Sequence, residues 1–152
     1  MAPLELTVRK RIRRPVAVVA RQFADLAHHA AHGVHPDVRL VVHSDDGRTT
    51  RLSQHVRLLG MDQVDEVVQE RQDDGTLDGV VVDGMNKGLR LRQSFRPDGA
   101  DATEVRLDVH WPLAGIKAVL KPLFGLAVRK TLEKALEEDR RDLEERGYPR
   151  AL

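Results

Sequence analysis

Residues 4–12, LELTVRKRI, alternate apolar and polar side chains, with Leu4, Leu6, Val8 and Ile12 on one face and Glu5, Thr7, Arg9 and Arg11 on the other. A period of two marks a half-buried strand. After Pro15, which suits a first helical turn, the period changes: Val16, Val19, Phe23, Leu26 and Ala30 recur at helical spacing until Gly33 and Pro36 stop the run. Alternating segments then return, separated by turn signals. VRLVVH runs into DDG at 45–47 and TTRLSQHVRLLG follows; VDEVVQERQ, DDG at 73–75 and LDGVVVDGM make a second hairpin. NKG at 86–88 turns into LRLRQSFRP, and PDGAD leads to TEVRLDVHWPL. In these last strands Arg90, Arg92, Arg106 and Asp108 take the outward parity, while Leu89, Leu91, Phe95, Leu107, Val109 and Trp111 take the inward one. From Pro122 to about Arg146 the pattern predicts a helix about 37 Å long at 1.5 Å per residue, with Val128, Leu132, Ala135, Leu136 and Leu143 on one stripe. The order is one strand, a helical region, a meander of six short antiparallel strands and a terminal helix long enough to cross the sheet, an α+β domain.

Composition narrows the picture. A chain of 152 residues is the size of one domain, here read as 1–152, and can close one core without staples. It has no cysteine, so any metal must be held by histidine and carboxylate. A net charge of +1 carries no field strong enough to gather nucleic acid, which is not expected as a partner. The basic start, MAPLELTVRKRIRRP, is not followed by an apolar core, and no apolar run approaches the roughly 18 residues of a membrane span. A cytoplasmic location is therefore expected. The basic run RKRIRR at 9–14 is spread by alternation along a mostly solvated sheet face.

Three stretches carry a resemblance: the opening strand into RRPVAVVARQFADL, the VVVDGMNKG hairpin, and WPLAGIKAVLKPLFGLAVRKTLEKALEEDRRDLEE, where a tryptophan-ended strand runs through an apolar segment into the terminal helix. In element order and texture, over nearly the whole chain, the sequence resembles the START-like or SRPBCC superfamily of lipid-transfer START domains, birch-pollen-allergen-like proteins, polyketide cyclases and coenzyme-Q-binding proteins. The resemblance implies a helix-grip fold, β-α-α-β6-α, in which a curved antiparallel sheet wraps around the terminal helix and leaves a cavity. Such a cavity takes a hydrophobic small molecule or lipid. Inward parity then assigns its wall to Leu40, Val42, Leu52, Val56, Leu89, Leu91, Phe95, Leu107, Val109, Trp111, Phe124, Val128 and Leu132. Gln54, Glu70 and Gln93 share that parity and can orient a polar group on the ligand, although the pair Val67 and Val68 leaves Glu70 ambiguous by one residue. Residues 111–126 mix apolar side chains with Lys117 and Lys121 and read as a lip that can touch a membrane transiently. The expected assembly is a monomer or weak homodimer, with no cofactor.

The stretch DLAHHAAHGVHPD, residues 25–37, holds four of the seven histidines. On one straight helix from Pro15, at about 100° per residue, Asp25, His28 and His32 lie opposite the apolar face. They are then expected to face water and titrate as ordinary histidines. A break at Asp25, a good N-cap, would instead turn His28 and His32 inward, with imidazoles on one face and His35 as a third nitrogen. The superfamily's Rieske-type oxygenases hold iron with D-x-x-H-x-x-x-x-H and an acid on the terminal helix. Asp25 and His28 match the first half of that motif, but Gly33 stands where the second histidine belongs and His32 is one position short. Asp139, which interrupts the stripe between Leu136 and Leu143, is the candidate carboxylate. The alternative function is therefore an enzyme of the same fold, either non-haem metal-dependent, with one Fe or Zn ion at His28, His32, His35 and Asp139, or cyclase/dehydrase-like through the His28–His35 cluster. A third class, an interaction protein with a filled interior, has no site at all. His43, His55 and His110 have solvent parity, no catalytic triad order or paired-carboxylate spacing stands out, and EEDRRDLEE at 137–145 reads as a salted helix face.

Overall fold

The structure, a computed structural model, describes residues 2–58 and 60–149. Met1, Leu59 and residues 150–152, which the single-domain reading and the TTRLSQHVRLLG strand include, lie outside the described residues. The elements are β1 (Leu4–Ile12), α1 (Val16–Ala24), α2 (Leu26–His32), β2 (Val38–Asp45), β3 (Thr49–Leu58), β4 (Met61–Arg71) and β5 (Leu77–Asp83), followed by β6 (Arg90–Pro97), β7 (Thr103–Trp111), α3 (Ile116–Val119) and α4 (Lys121–Glu144). The strands form one sheet in the order β1-β7-β6-β5-β4-β3-β2. Every pairing is antiparallel. β2 to β7 are thus the expected meander, and β1 joins its far side along β7, from Leu4 opposite Trp111 to Ile12 opposite Thr103.

Alternation is cleanest on β7, where Thr103, Val105, Leu107, Val109 and Trp111 are buried and the residues between them are not. Those side chains meet α4 through Phe124, Val128, Leu136 and Leu143. Two buried clusters result, one around Ile12, Phe23, Val105 and Tyr148 and one around Leu4, Trp111 and Phe124. Leu6, Leu91 and Leu132 pack against both. The basic opening strand also grips the helix: Lys10 reaches Glu137 at 2.7 Å, and Arg14 donates to the carbonyls of Leu143 and Tyr148.

The helical region is two helices, not one. Asp25 leaves helical geometry with ψ 72°, and its carboxylate accepts the His28 N–H at 3.1 Å to start α2. Gly33, in the left-handed region at φ 56°, ends α2 as the sequence indicated. The straight-helix expectation fails here because a side-chain cap replaces backbone bonds at Asp25 and resets the helical phase. Past α4, Tyr148 folds back and donates its hydroxyl to the same Asp25 carboxylate at 2.8 Å, covering the break. Among the described residues, no helix is long and apolar enough to cross a membrane.

Candidate functional site

Between the sheet and α4 lies a cavity of about 240 Å³. Alternate residues of successive strands build its wall, because a period of two sends every second side chain to the same face. Leu40, Leu52, Gln54 and Val56 come from β2 and β3; Leu89, Leu91, Gln93, Leu107 and Val109 come from β6, β7 and the preceding turn; Val128 and Leu132 come from α4. All of these were expected from sequence parity. Val42, Phe95, Trp111 and Phe124, also expected, lie outside the cavity wall. Phe95 packs edge-on against Phe23 with ring centroids 5.2 Å apart, and Trp111 against Phe124 at 5.6 Å. Inward parity places them in the core, but neighbouring aromatic rings consume the space a ligand would need. Val42 stands at the point where the β2–β3 register slips.

Glu70 requires a correction. It is exposed, and Gln69 is the buried residue that faces the cavity and accepts from Gln93 at 3.3 Å. The inward set of β4 is Gln63, Asp65, Val67 and Gln69, so the sequence reading was out by one residue. Sequence reasoning also missed a second polar group on the wall. Buried Asn86 donates its side-chain amide to Gln63 and Asp65 at 2.6 Å each, and Asp65 also accepts the Asn86 backbone N–H at 3.2 Å. This knot requires Gly84, whose φ is +113° and where a Cβ would fall 2.4 Å from the Asp65 carboxylate. A wider depression of about 750 Å³ crosses the outer face of the sheet. It is open and its charges are largely paired, as in Arg92–Asp78 and Arg106–Asp108, so the smaller apolar cavity is the better candidate.

The broken helix changes the histidine stretch. His28 and His29 are both buried rather than solvated. His28 places Nε2 2.7 Å from Asp142, and His29 places Nε2 3.0 Å from Asp139. The Gln22 amide donates to both carboxylates, at 3.1 Å to Asp139 and 3.0 Å to Asp142. His35 reaches Glu138 through Nδ1 at 3.2 Å and approaches Asp139 through Nε2 at 3.5 Å. Burial lowers the pKa of His29, but its hydrogen bond and charge attraction to Asp139, with the Asp25 carbonyl, outweigh that and raise it above the ordinary value.

Residues 137–145 are therefore not only a salted face. Glu137 and Arg140 form the surface pair, while Asp139 and Asp142 point inward. His29, His35 and Asp139 each bring one potential ligand atom within 4.8 Å of the others, and all three line the cavity. His28 and His32, counted in the expected set with His35 and Asp139, stand outside this group: His28 is engaged by Asp142, and His32 Nε2 is buried without a hydrogen-bond partner among the described residues. His43 and His110 are half exposed, as their parity indicated. The available signal for His29 was Asp25 as an N-cap, which shifts the inward face of α2 by one position.

The comparisons with known proteins agree with this architecture. A family model described as polyketide cyclase/dehydrase and lipid transport matches residues 3–146. The Thermus thermophilus protein TTHA0849 superposes with a TM-score of 0.82 at 18% identity, over 94% of this chain and 99% of that one. The aromatase/cyclase Zhui from a Streptomyces species gives 0.77 at 13% identity, over 94% and 97%. A START superfamily protein from Mycobacterium smegmatis gives 0.74 at 19% identity, over 91% and 98%. No curated protein matches the sequence. At such identities the superpositions carry the fold alone, and the family model carries the membership. The chain belongs to the polyketide cyclase/dehydrase and lipid-transport family.

Proposed function

We propose that this protein binds a hydrophobic small molecule or lipid in the cavity between its sheet and α4, as a cytoplasmic monomer or weak homodimer. The observation that carries the reading is the wall itself: aliphatic side chains from β2 to β7 and α4 surround about 240 Å³, and a few amides, histidines and carboxylates face the same space. Apolar lining supplies affinity, and sparse polar groups supply orientation. The volume lies below the roughly 300–1,000 Å³ of drug-sized sites, which favours a slim or small ligand. The test is native mass spectrometry of the purified protein. A discrete added mass that dissociates as an organic molecule supports the reading; a bare chain that also takes up no fatty acid or aromatic ligand on incubation opposes it.

A second reading, an enzyme acting on the molecule it binds, is favoured by the buried His29–Asp139 pair on the cavity wall. A histidine held by a carboxylate beside a bound substrate is suited to proton transfer in a cyclisation or dehydration. Loss of water from the bound molecule in wild type but not in Asp139→Asn would support this reading. A bound molecule unchanged in both mass and chromatographic retention in both proteins would favour the carrier.

The α3–α4 segment supports the proposed membrane contact. Ile116 and Val119 are each 72% exposed, Leu123 and Leu126 about half exposed, and Lys117 and Lys121 lie among them. Lys117 bonds the Met85 carbonyl, which ties α3 to the turn whose Asn86 lines the cavity. An apolar rim carrying lysines fits an anionic bilayer surface during ligand entry. Flotation with phosphatidylserine-containing liposomes, lost in Ile116→Glu/Val119→Glu, is the expected result; no flotation of wild type would remove this contact.

A further inference from the structure

His29 and His35 are both held from outside. His29 Nδ1 lies 2.8 Å from the Asp25 backbone carbonyl, which can only accept, so Nδ1 carries the hydrogen. His35 Nδ1 faces Glu138 at 3.2 Å and, against a carboxylate, carries its hydrogen too. In the neutral imidazoles each Nε2 is then a bare lone pair. Both lone pairs point at one acceptor, Asp139 Oδ1, at 3.0 and 3.5 Å. Three such groups converging in a buried space need a positive charge between them, which a proton on an imidazole or a metal ion in its place can supply. Histidines that ligate metals commonly have their other nitrogen bonded to a carbonyl or carboxylate in this way.

The distances of both histidines from Asp139 fit a metal ion, and the three ligand atoms lie within 4.8 Å of one another. Two ligands about 2.1 Å from an ion are roughly 3.0 Å apart at a right angle and roughly 3.4 Å apart at a tetrahedral angle. Gln22, itself fully buried, donates to Asp139 Oδ1 and holds the carboxylate from the side. All three groups line the cavity, so coordination positions not filled by protein open towards it. Two imidazoles and one carboxylate, with no cysteine in the chain, suit a first-row divalent ion such as Zn²⁺ or Fe²⁺.

We propose that His29, His35 and Asp139 bind one first-row divalent metal ion, with its open positions facing the cavity. An oxygen of the cavity ligand could occupy such a position; that contact rests on the proposed ligand-binding function, whereas metal binding does not. The ligand set replaces the one read from sequence, exchanging His28 and His32 for His29.

The test is titration of chelator-treated, delipidated protein with Co²⁺, followed by visible absorption and calorimetry. Wild type should take up one equivalent and develop ligand-field bands. His35→Ala, whose ring is partly exposed, and Asp139→Asn should each weaken binding by at least about tenfold, while His32→Ala should leave it unchanged. Circular dichroism of each variant checks the fold, and if Asp139→Asn unfolds, His35→Ala decides. Absence of stoichiometric binding in wild type, or binding that folded His35→Ala retains in full, would overturn the proposal. Co²⁺ binding by a protein that takes up no hydrophobic ligand would leave the metal site standing and remove the carrier function, so the two failures are distinct.

Discussion

His28 and Asp142 form a pair sealed from solvent: Nε2 lies 2.7 Å from the carboxylate, and the side chains are 5% and 0% exposed. The pair joins α2 to α4 across the helix break, and Gln22 donates to Asp142 from α1. Removing the Asp142 carboxylate leaves the buried His28 ring nitrogen and the Gln22 amide without their partner. Asp142→Ala is therefore expected to cost about 2–5 kcal/mol in urea denaturation. Asp142→Asn keeps an acceptor for His28 and should cost less, about 1–3 kcal/mol. Equal stability of wild type and Asp142→Ala would mean that this pair does not fasten the helices.

Tyr148 is the chain's one tyrosine, so its ionisation can be followed by phenolate absorbance without interference. Burial and the hydrogen bond to Asp25 push its pKa up to about 12. The unfolded value is about 10. Because the folded value is the higher, the native state holds the proton more tightly, and the stability gained is complete below about pH 10 and lost as pH rises towards the folded value. The phenolate band of the folded protein should therefore rise near pH 12, and Tyr148→Phe should flatten the fall in stability above about pH 10. A transition near the unfolded value, in a protein still folded, would show that the hydroxyl is not buried against Asp25.

Gly84 and Gly99 both have positive φ, +113° and +78°, but only Gly84 meets other atoms where a Cβ would stand. Gly99→Ala should cost about 1 kcal/mol of backbone strain. Gly84→Ala should cost clearly more, since the Val64 carbonyl 2.5 Å from the new atom is backbone and cannot turn aside. Thermal unfolding of the two variants provides the comparison, and equal losses would place the Asp65–Asn86 knot elsewhere.

Legibility in the sequence followed the regularity of each element. On β1 the inward parity is apolar except at Lys10 and on β7 it is apolar from Val105 to Trp111, so the face of both strands was readable, although β7 ends at Trp111 rather than running on to Leu113. β4 offered Val67 and Val68 side by side, so periodicity could not choose a face, and Glu70 was taken for Gln69. The β4–β5 register also shifts between Glu66 and Val67, which no single-strand pattern reveals. For the histidines, a helical wheel assumes an unbroken axis. The ψ of 72° at Asp25 ends that axis, and the wheel then assigned His28 to water. Asp139 was visible as a polar interruption of the α4 stripe. Asp142 was not, because its burial depends on Gln22 and His28 arriving from other elements.

Trp111, 1% exposed and edge-on to Phe124, belongs to the core cluster rather than to the cavity. Trp111→Ala should cost roughly 3–5 kcal/mol as a large truncation, measured by urea denaturation. Binding of a cavity ligand per remaining folded molecule should be little changed. A variant that keeps full stability but loses ligand would place the indole in the binding wall.

The cavity can be tested by filling it. Val67 from β4 and Ala135 from α4 both face it, so Val67→Phe and Ala135→Phe insert rings into space rather than into packed atoms. The deciding measurement is fluorescence titration of anilinonaphthalene sulfonate, a small hydrophobic probe, against wild type and the two variants, with circular dichroism confirming that all three are folded. Wild type should bind one probe saturably, and each filled variant should bind at least about tenfold more weakly, a difference of roughly 1.4 kcal/mol. Absence of saturable binding in wild type, or equal affinity in all three proteins, would contradict a ligand site between the sheet and α4.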